Sequence, residues 1–256
     1  MTAARIAAIF AAAFAGGVIG ALAGGGTLIT FSVLVFLGYP AIVANATAAV
    51  GIIPTGAAQV VGHWTDVRQQ RRWLRALVVP GVVGGAIGSI LLIATPERSF
   101  ERLAPFLVFF ATGLFVLQEF LPNAARSSGD APLSRLHVAI GGALLLAVAI
   151  YEGYFGAGSG ILILAILGFL GLSDIHTRNG LKGYFVVAID GVASAYFLFR
   201  GAVDLKAAGI MIVGAFAGGY AGARFARRIG REKARVAVIV IGLILGAILL
   251  ARVRGM

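Results

Sequence analysis

"GALAGGGTLITFSVLVFLGYPAI", residues Gly20–Ile42, and "GYFGAGSGILILAILGFLGLSDI", residues Gly153–Ile175, align without a gap at an offset of 133 positions. Gly20 meets Gly153, and Leu34, Phe36, Leu37 and Gly38 meet Leu167, Phe169, Leu170 and Gly171. Further along, "GVVGGAIGS" from Gly81 falls on "GAFAGGYAG" from Gly214 at the same offset. A shift that holds this far marks an internal duplication. It predicts a first repeat over 1–121 and a second over 135–256, joined by a cytoplasmic linker at 122–134 within the polar "LPNAARSSGDAPLSR". The opening "MTAARIAAIFAAAFAGGVIGALA" has the look of a secretory signal. Because the repeat includes its counterpart, it is expected to belong to the fold.

Composition sets the solvent. Of 256 residues, 60% are hydrophobic and 12% charged, and the mean hydropathy is +0.99. Soluble domains carry about a quarter charged residues, so lipid must cover this much apolar surface. Runs such as "ALVVPGVVGGAIGSILLIA" (Ala76–Ala94) approach the roughly 20 apolar residues that cross a bilayer. They lack the alternation of barrel strands, which leaves helices to satisfy the backbone. The net charge of +11 sits as arginines in short gaps between apolar runs. That is the positive-inside pattern and not a nucleic-acid surface. With no cysteine and three scattered histidines (His63, His137, His176), no disulfide, thiolate chemistry or metal site is expected.

Each half reads as a helix (5–23, then 135–153), a glycine-rich break, and a short apolar run (27–37, then 160–171). A long helix follows (40–63, then 174–199), and then two more (73–95 and 102–121, then 206–226 and 235–252). The expectation is an all-α, polytopic membrane protein with about 8–10 membrane segments, two of them half-helices. The gap "DVRQQRRWLR" (Asp66–Arg75) is strongly basic and its mate "RGAVDLK" (Arg200–Lys206) is not; in the next gap, "PERSFER" and "RFARRIGREKAR" reverse this. Inverted halves put both basic loops inside, with Arg126 and Arg135, and leave Arg5, Arg252 and Arg254 outside.

The breaks "AGGGT" (Ala23–Thr27) and "GAGSG" (Gly156–Gly160) occupy matching positions. A half-helix that begins at mid-depth offers free N–H groups and a positive dipole end, a seat for an anion. Gly24, Gly25, Gly26 and Thr27, with Gly156, Gly158 and Ser159, are the candidates; the competing reading is tight helix packing through small residues. No strand precedes "GAGSG", which excludes a dinucleotide fingerprint. After each half-helix comes a polar helix entry: Asn45, Thr47 and, farther on, Gln59 in the first half; Arg178, Asn179 and Lys182 in the second. Arg178 aligns with Asn45, Asn179 with Ala46. If the helix starts near Asp174, Lys182 is about 12 Å along it. There it either serves a site or snorkels to the surface. Glu152 and Asp190 sit in apolar surroundings where their mates are Ile19 and Ala57. They are candidates for carrying a coupled proton or pairing with Lys182.

At these residues the chain resembles the TauE/SafE family, the sulfite-exporter-like permeases. The resemblance rests on "AGGGTLITFSVLVFLGYP", then "ANATAAVGIIPTG", and the second copy "GYFGAGSGILILAILGFLGLSDIHTRNGLK". It implies movement of small sulfur-containing or carboxylate anions, without a bound cofactor. Asn45, Thr47, Asn179 and Lys182 match positions where one branch carries similar residues, and Glu152 departs from the small residue expected there. The expected function is secondary transport of sulfite or an organosulfonate by alternating access coupled to protons. An anion channel, a carboxylate transporter and a non-transporting membrane subunit are the rivals. An enzyme is not expected, since no nucleophile–base constellation is present. The expected setting is the cell inner membrane, with a small anion, lipid and a second copy of the chain as partners and no nucleic acid.

Overall fold

A computed structural model describes residues 1–22, 25–117, 135–229 and 231–254. Gly24, the linker 122–134 and the basic side chains of 224–233 lie outside the described residues.

Apolar side chains in long runs leave the backbone no partner but itself, and the described chain is helical with no strand. The first half holds α1 (Ala3–Leu22), α2 (Gly26–Phe36), α3 (Ala41–Gly62), a short α4 (Trp64–Gln69), α5 (Arg71–Ala94) and α6 (Glu97–Leu117). The second holds α7 (Arg135–Tyr154), α8 (Ser159–Phe169), α9 (Ile175–Phe199), α10 (Leu205–Ile229) and α11 (Arg231–Arg254). Among the described residues, eight helices are long and apolar enough to cross a membrane; α2 and α8 are shorter apolar helices. At 11 residues each, these two cover about 16 Å of a core about 30 Å thick.

The 133-residue offset carries into geometry: Gly26–Phe36 shifts onto Ser159–Phe169. Both short helices stop the same way. Gly38 and Gly171 take φ of 84° and 82°, the left-handed conformation that glycine adopts without strain. The next N–H then reaches back, Tyr39 to the Leu34 carbonyl at 3.1 Å and Leu172 to the Leu167 carbonyl at 3.2 Å. That is a Schellman ending, written by the matched glycines.

Packing is also matched. α1 lies along α10, with Gly214, Gly218 and Gly222 facing Phe10, Phe14 and Val18 in turn, so the two run parallel. The mates of this pair, α7 and α5, pack in the same way, with Gly84 and Gly88 against Ile150 and its neighbours. Small residues let backbones approach closely, which is how helices associate without a hydrophobic drive in lipid. The mates α3 and α9 run antiparallel: Gly56 meets Val187, Gln59 meets Gly183, and the His63 ring lies 5.9 Å from His176. α6 and α11 are also antiparallel, with Phe109 on Gly246 and Thr112 on Gly242. Arg5 donates to the Leu37 carbonyl, so α2 returns to the end at which α1 began.

Two cores result. One is built on Phe31, Phe100, Phe115, Phe155 and Phe197, and the other on Trp73, Leu77, Leu145, Phe185 and Ile189. The outside is apolar too, with Phe106, Phe216, Val213 and Leu136 all more than 60% exposed. An apolar exterior of this kind belongs in lipid.

Candidate functional site

The two half-helices begin beside one another at a small cavity. Its wall includes Gly26 and Thr27 from the first turn of α2 and Ser159 and Gly160 from the first turn of α8, with Gly156 from the break before α8. Gly156 and Gly158 take φ of 80° and 82°, turning the chain sharply between α7 and α8. The cavity holds about 60 Å³. A single water needs about 10–15 Å³ on this measure, so there is room for several waters or one small polyatomic ion.

α3 contributes Ile52, Thr55, Gly56 and Gln59, a spacing of three and four that defines one helix face. α9 contributes Lys182, Val186 and Asp190, one face again at steps of four. Glu152 projects from the last turn of α7. Lys182, Glu152 and Asp190 are 9%, 5% and 7% exposed, so one cation and two carboxyl groups line the cavity as buried side chains. The Lys182 stem passes over Gly160, where an added Cβ would lie 3.3 Å from its Cδ; glycine at the start of α8 makes the room. The Ser159 hydroxyl donates to the Gly156 carbonyl at 2.8 Å and also lies within hydrogen-bonding reach of the Glu152 carboxyl. Glu152 and Asp190 are near enough for each charge to act on the other.

The cavity brings together Gly26, Thr27, Gly156, Ser159, Lys182, Glu152 and Asp190 from the residues singled out by sequence. Gly25 and Gly158 sit behind it: Gly25 faces Phe115 and Val238, and Gly158 faces Ala111 and Leu114. Asn45 and Thr47 are buried but do not line it. The Asn45 amide donates to the Tyr154 carbonyl at 3.0 Å. The Thr47 hydroxyl accepts from the Asp204 N–H at 3.0 Å, and Asp204 in turn caps α10 through Lys206 and Ala207 N–H. Both thus join helices. Arg178 and Asn179 also lie off the cavity, with the Arg178 guanidinium reaching the Ser173 carbonyl at 3.5 Å.

The sequence reading does not single out Thr55 and Gly56, and gives Gln59 only as a polar residue farther along the helix. The signal that would have found the first pair is a Thr and a Gln four apart in an otherwise apolar helix, on the same face as Gly56. Among the described residues no three His, Cys, Asp or Glu side chains come together as a metal would require.

A larger cavity, about 380 Å³, opens where α2 ends, lined by Val35, Tyr39, Glu97, Glu101, Leu249 and Arg252 among others. Two carboxylates face one guanidinium there, and neither half-helix N-terminus reaches it. Phe31 lines it too, and packs behind it with Phe100 and Phe155, Phe31 and Phe155 meeting edge-on at 5.2 Å. The smaller cavity, with both helix starts and the buried lysine, is the candidate site.

Residues 9–249 match the family described as Sulfite exporter TauE/SafE. The chain is similar to a protein of Sinorhizobium sp. named "Probable membrane transporter protein ORF9", 26% identical over 83% of this chain and 80% of that one. It is also similar to a Haemophilus influenzae protein named "Probable membrane transporter protein", 28% identical over 83% of this chain and 82% of that one. No solved structure matches it. With the match running through both repeats and both half-helices, the chain belongs to the sulfite exporter TauE/SafE family, whose members are multi-pass membrane transporters and not enzymes.

Proposed function

We propose that the chain carries a small oxyanion, sulfite or an organosulfonate, across the cell inner membrane by alternating access, with the cavity between α2, α3, α8 and α9 as its binding site. One observation carries this reading. Two half-helix N-termini, from matching positions of the two repeats, open on one cavity that also holds the buried Lys182. Each helix start supplies about half a positive charge, α8 doing so even though its Ser159 and Ile161 N–H groups bond the Gly156 and Gly158 carbonyls, and Lys182 supplies a full charge. Sulfite as the substrate comes from the family description; the relatives' names speak only of membrane transport.

Charge balance supports coupling to protons. With Glu152 and Asp190 ionised, the side chains of the cavity sum to −1 against an incoming anion. A proton on one carboxyl offsets the charge of a monoanion, so the loaded cavity carries no more negative charge than the empty one. Glu152 and Asp190 are therefore the proposed proton carriers. The antiparallel course of α3 against α9 and of α6 against α11 supports two inverted halves, 1–121 and 135–256, which exchange roles as access alternates.

The test is sulfite counterflow in proteoliposomes. Lys182→Ala is expected to abolish uptake while the purified protein remains monodisperse. Undiminished uptake by that variant defeats the proposed site, and wild-type flux without transient accumulation of labelled sulfite identifies a channel instead.

A further inference from the structure

Three side-chain atoms on the cavity wall are buried without a hydrogen-bond partner: Thr55 Oγ1, Gln59 Oε1 and Glu152 Oε2. Thr55 and Glu152 are each 5% exposed, so bulk water does not reach them freely. A buried polar atom left unpaired costs the full desolvation of that group, and native structures keep such atoms where a ligand or ordered water completes them. Their chemistry is specific. An amide oxygen accepts and cannot donate, a carboxylate oxygen does the same when the coupled proton sits on Asp190 and not on Glu152, and a hydroxyl does either. Lys182 and the first turn of α2 bring donors to the same cavity, while Asp190 adds a second carboxyl and the Ser159 and Ile161 N–H groups of α8 are spent on the Gly156 and Gly158 carbonyls.

A bare oxyanion fits only half of this wall. It satisfies the donors, then faces Gln59 Oε1 and Glu152 Oε2 with lone pair against lone pair. From this two-sided chemistry we infer that the ligand is an anion carrying its own O–H or N–H donor. Hydrogensulfite and hydroxy- or amino-substituted sulfonates belong to this class, and simple alkyl sulfonates do not. The oxyanion oxygens pair with Lys182 and the first turn of α2, and the ligand's own donor pairs with Gln59 Oε1 or Glu152 Oε2, with the Thr55 hydroxyl between roles. The first repeat thus supplies selectivity through Thr55 and Gln59, and the second supplies charge. This deepens the proposed anion site and rests on it. The other groups facing the carboxyls do not fill this need. The Tyr151 hydroxyl donates to the Ala157 carbonyl at 2.5 Å. α5 meets this region with Gly85 against Gly153 and Ile189.

A site built to pair a ligand hydroxyl rejects the analogue that lacks it, because its own groups then stay unpaired. The matched probes are hydroxymethanesulfonate and ethanesulfonate, which share charge and sulfonate group and differ by a hydroxyl in place of a methyl. Calorimetric titration of the purified full chain in detergent is expected to show the hydroxyl compound binding at least about tenfold tighter. Gln59→Leu is expected to bring the two affinities within about threefold of one another, chiefly by weakening the hydroxyl compound. Equal wild-type affinities for the two sulfonates overturn the donor requirement and leave the anion site standing. Retention of the full preference by Gln59→Leu overturns the role of Gln59 as the acceptor. Failure of both sulfonates and of sulfite to bind removes the anion site, and this inference with it.

Discussion

α3 and α9 hold matching places in the two repeats, yet they turn different faces to the cavity. α3 presents Ile52, Thr55, Gly56 and Gln59. The same face of α9 carries Phe185, Ala188, Ile189 and Val192, and there Phe185 and Ile189 are fully buried, with Ile189 against Gly81 and Gly85 of α5. Conversely, α9 presents Lys182, Val186 and Asp190, whose mates Ala49, Ile53 and Ala57 lie off the cavity. The half-helices behave otherwise: Gly26 and Thr27 line the cavity, and so do their mates Ser159 and Gly160. The matching backbone therefore delivers the helix starts symmetrically, while the side chains that line the cavity are unequal. The fold manages without charge in one half. The proposed function assigns the charge in the other to the ligand, because burying an ionised group costs stability unless something offsets it.

The strongest way to break the symmetric part is to attack both copies of the helix contact that glycine permits. A Cβ on Gly88 would overlap the Ile150 carbonyl oxygen, and one on Gly218 would overlap the Phe14 carbonyl oxygen. Gly88→Leu and Gly218→Leu are each expected to cost more than about 3 kcal/mol and to yield no monodisperse protein by size-exclusion chromatography. Gly209→Ala, where an added Cβ meets open space, is the control and should purify normally. Tolerance of one glycine variant and not the other ends the claim that the two interfaces are equivalent.

Next in size are the unequal side chains. Glu152→Gln with Asp190→Asn keeps shape and removes both negative charges. It is expected to remain folded, to take up sulfite at least about tenfold more slowly, and to lose acceleration by an imposed proton gradient. Retained acceleration would move the coupling elsewhere. On the neutral wall, Thr55→Val removes one hydroxyl at constant volume and is expected to slow uptake by about tenfold or less. A larger loss there than in the double variant would reverse the division of labour between the halves.

Much of this architecture was written in local pattern. The offset of 133, the paired breaks and the glycines after each half-helix placed the elements within a few residues, because these are short-range backbone requirements. Lys182, Glu152 and Asp190 stood out because charge amid apolar runs is expensive. The lining of α3 was less legible. Asn45, Thr47, Thr55 and Gln59 all lie on one helix, and sequence gives each the same polar appeal. Which of them faces the cavity depends on where α7 and α10 arrive from far along the chain. Tyr154 brings a carbonyl to the Asn45 N–H and Asp204 brings an N–H to Thr47, so these groups are taken up by structure, and the unpartnered Asn45 Oδ1 lies off the cavity. Thr55 Oγ1 and Gln59 Oε1 meet no such partner and line the cavity.

The smallest effect separates the two helices at their first turns. α9 is capped from within: Asp174 accepts from Thr177 N–H at 2.7 Å and from its hydroxyl at 2.6 Å. α3 begins at Pro40, which offers no side-chain cap, and Glu97 at the start of α6 accepts from Ile42 N–H at 3.2 Å instead. A local cap belongs to its helix, whereas a remote one ties two helices together. Asp174→Ala should therefore cost about 1 kcal/mol, measured by reversible unfolding in detergent, without changing uptake. The Thr177 hydroxyl and then its N–H hold the Asp174 carboxyl below the ordinary value of 3.8. A carboxyl lowered on folding stabilises above its unfolded value and loses that contribution as pH falls through the folded one. The gap between wild type and Asp174→Ala should accordingly be full at neutral pH and close below about pH 4. A gap that persists in acid would mean that Asp174 holds α9 by packing and not as a charged cap, and the contrast between a local and a borrowed cap would fall.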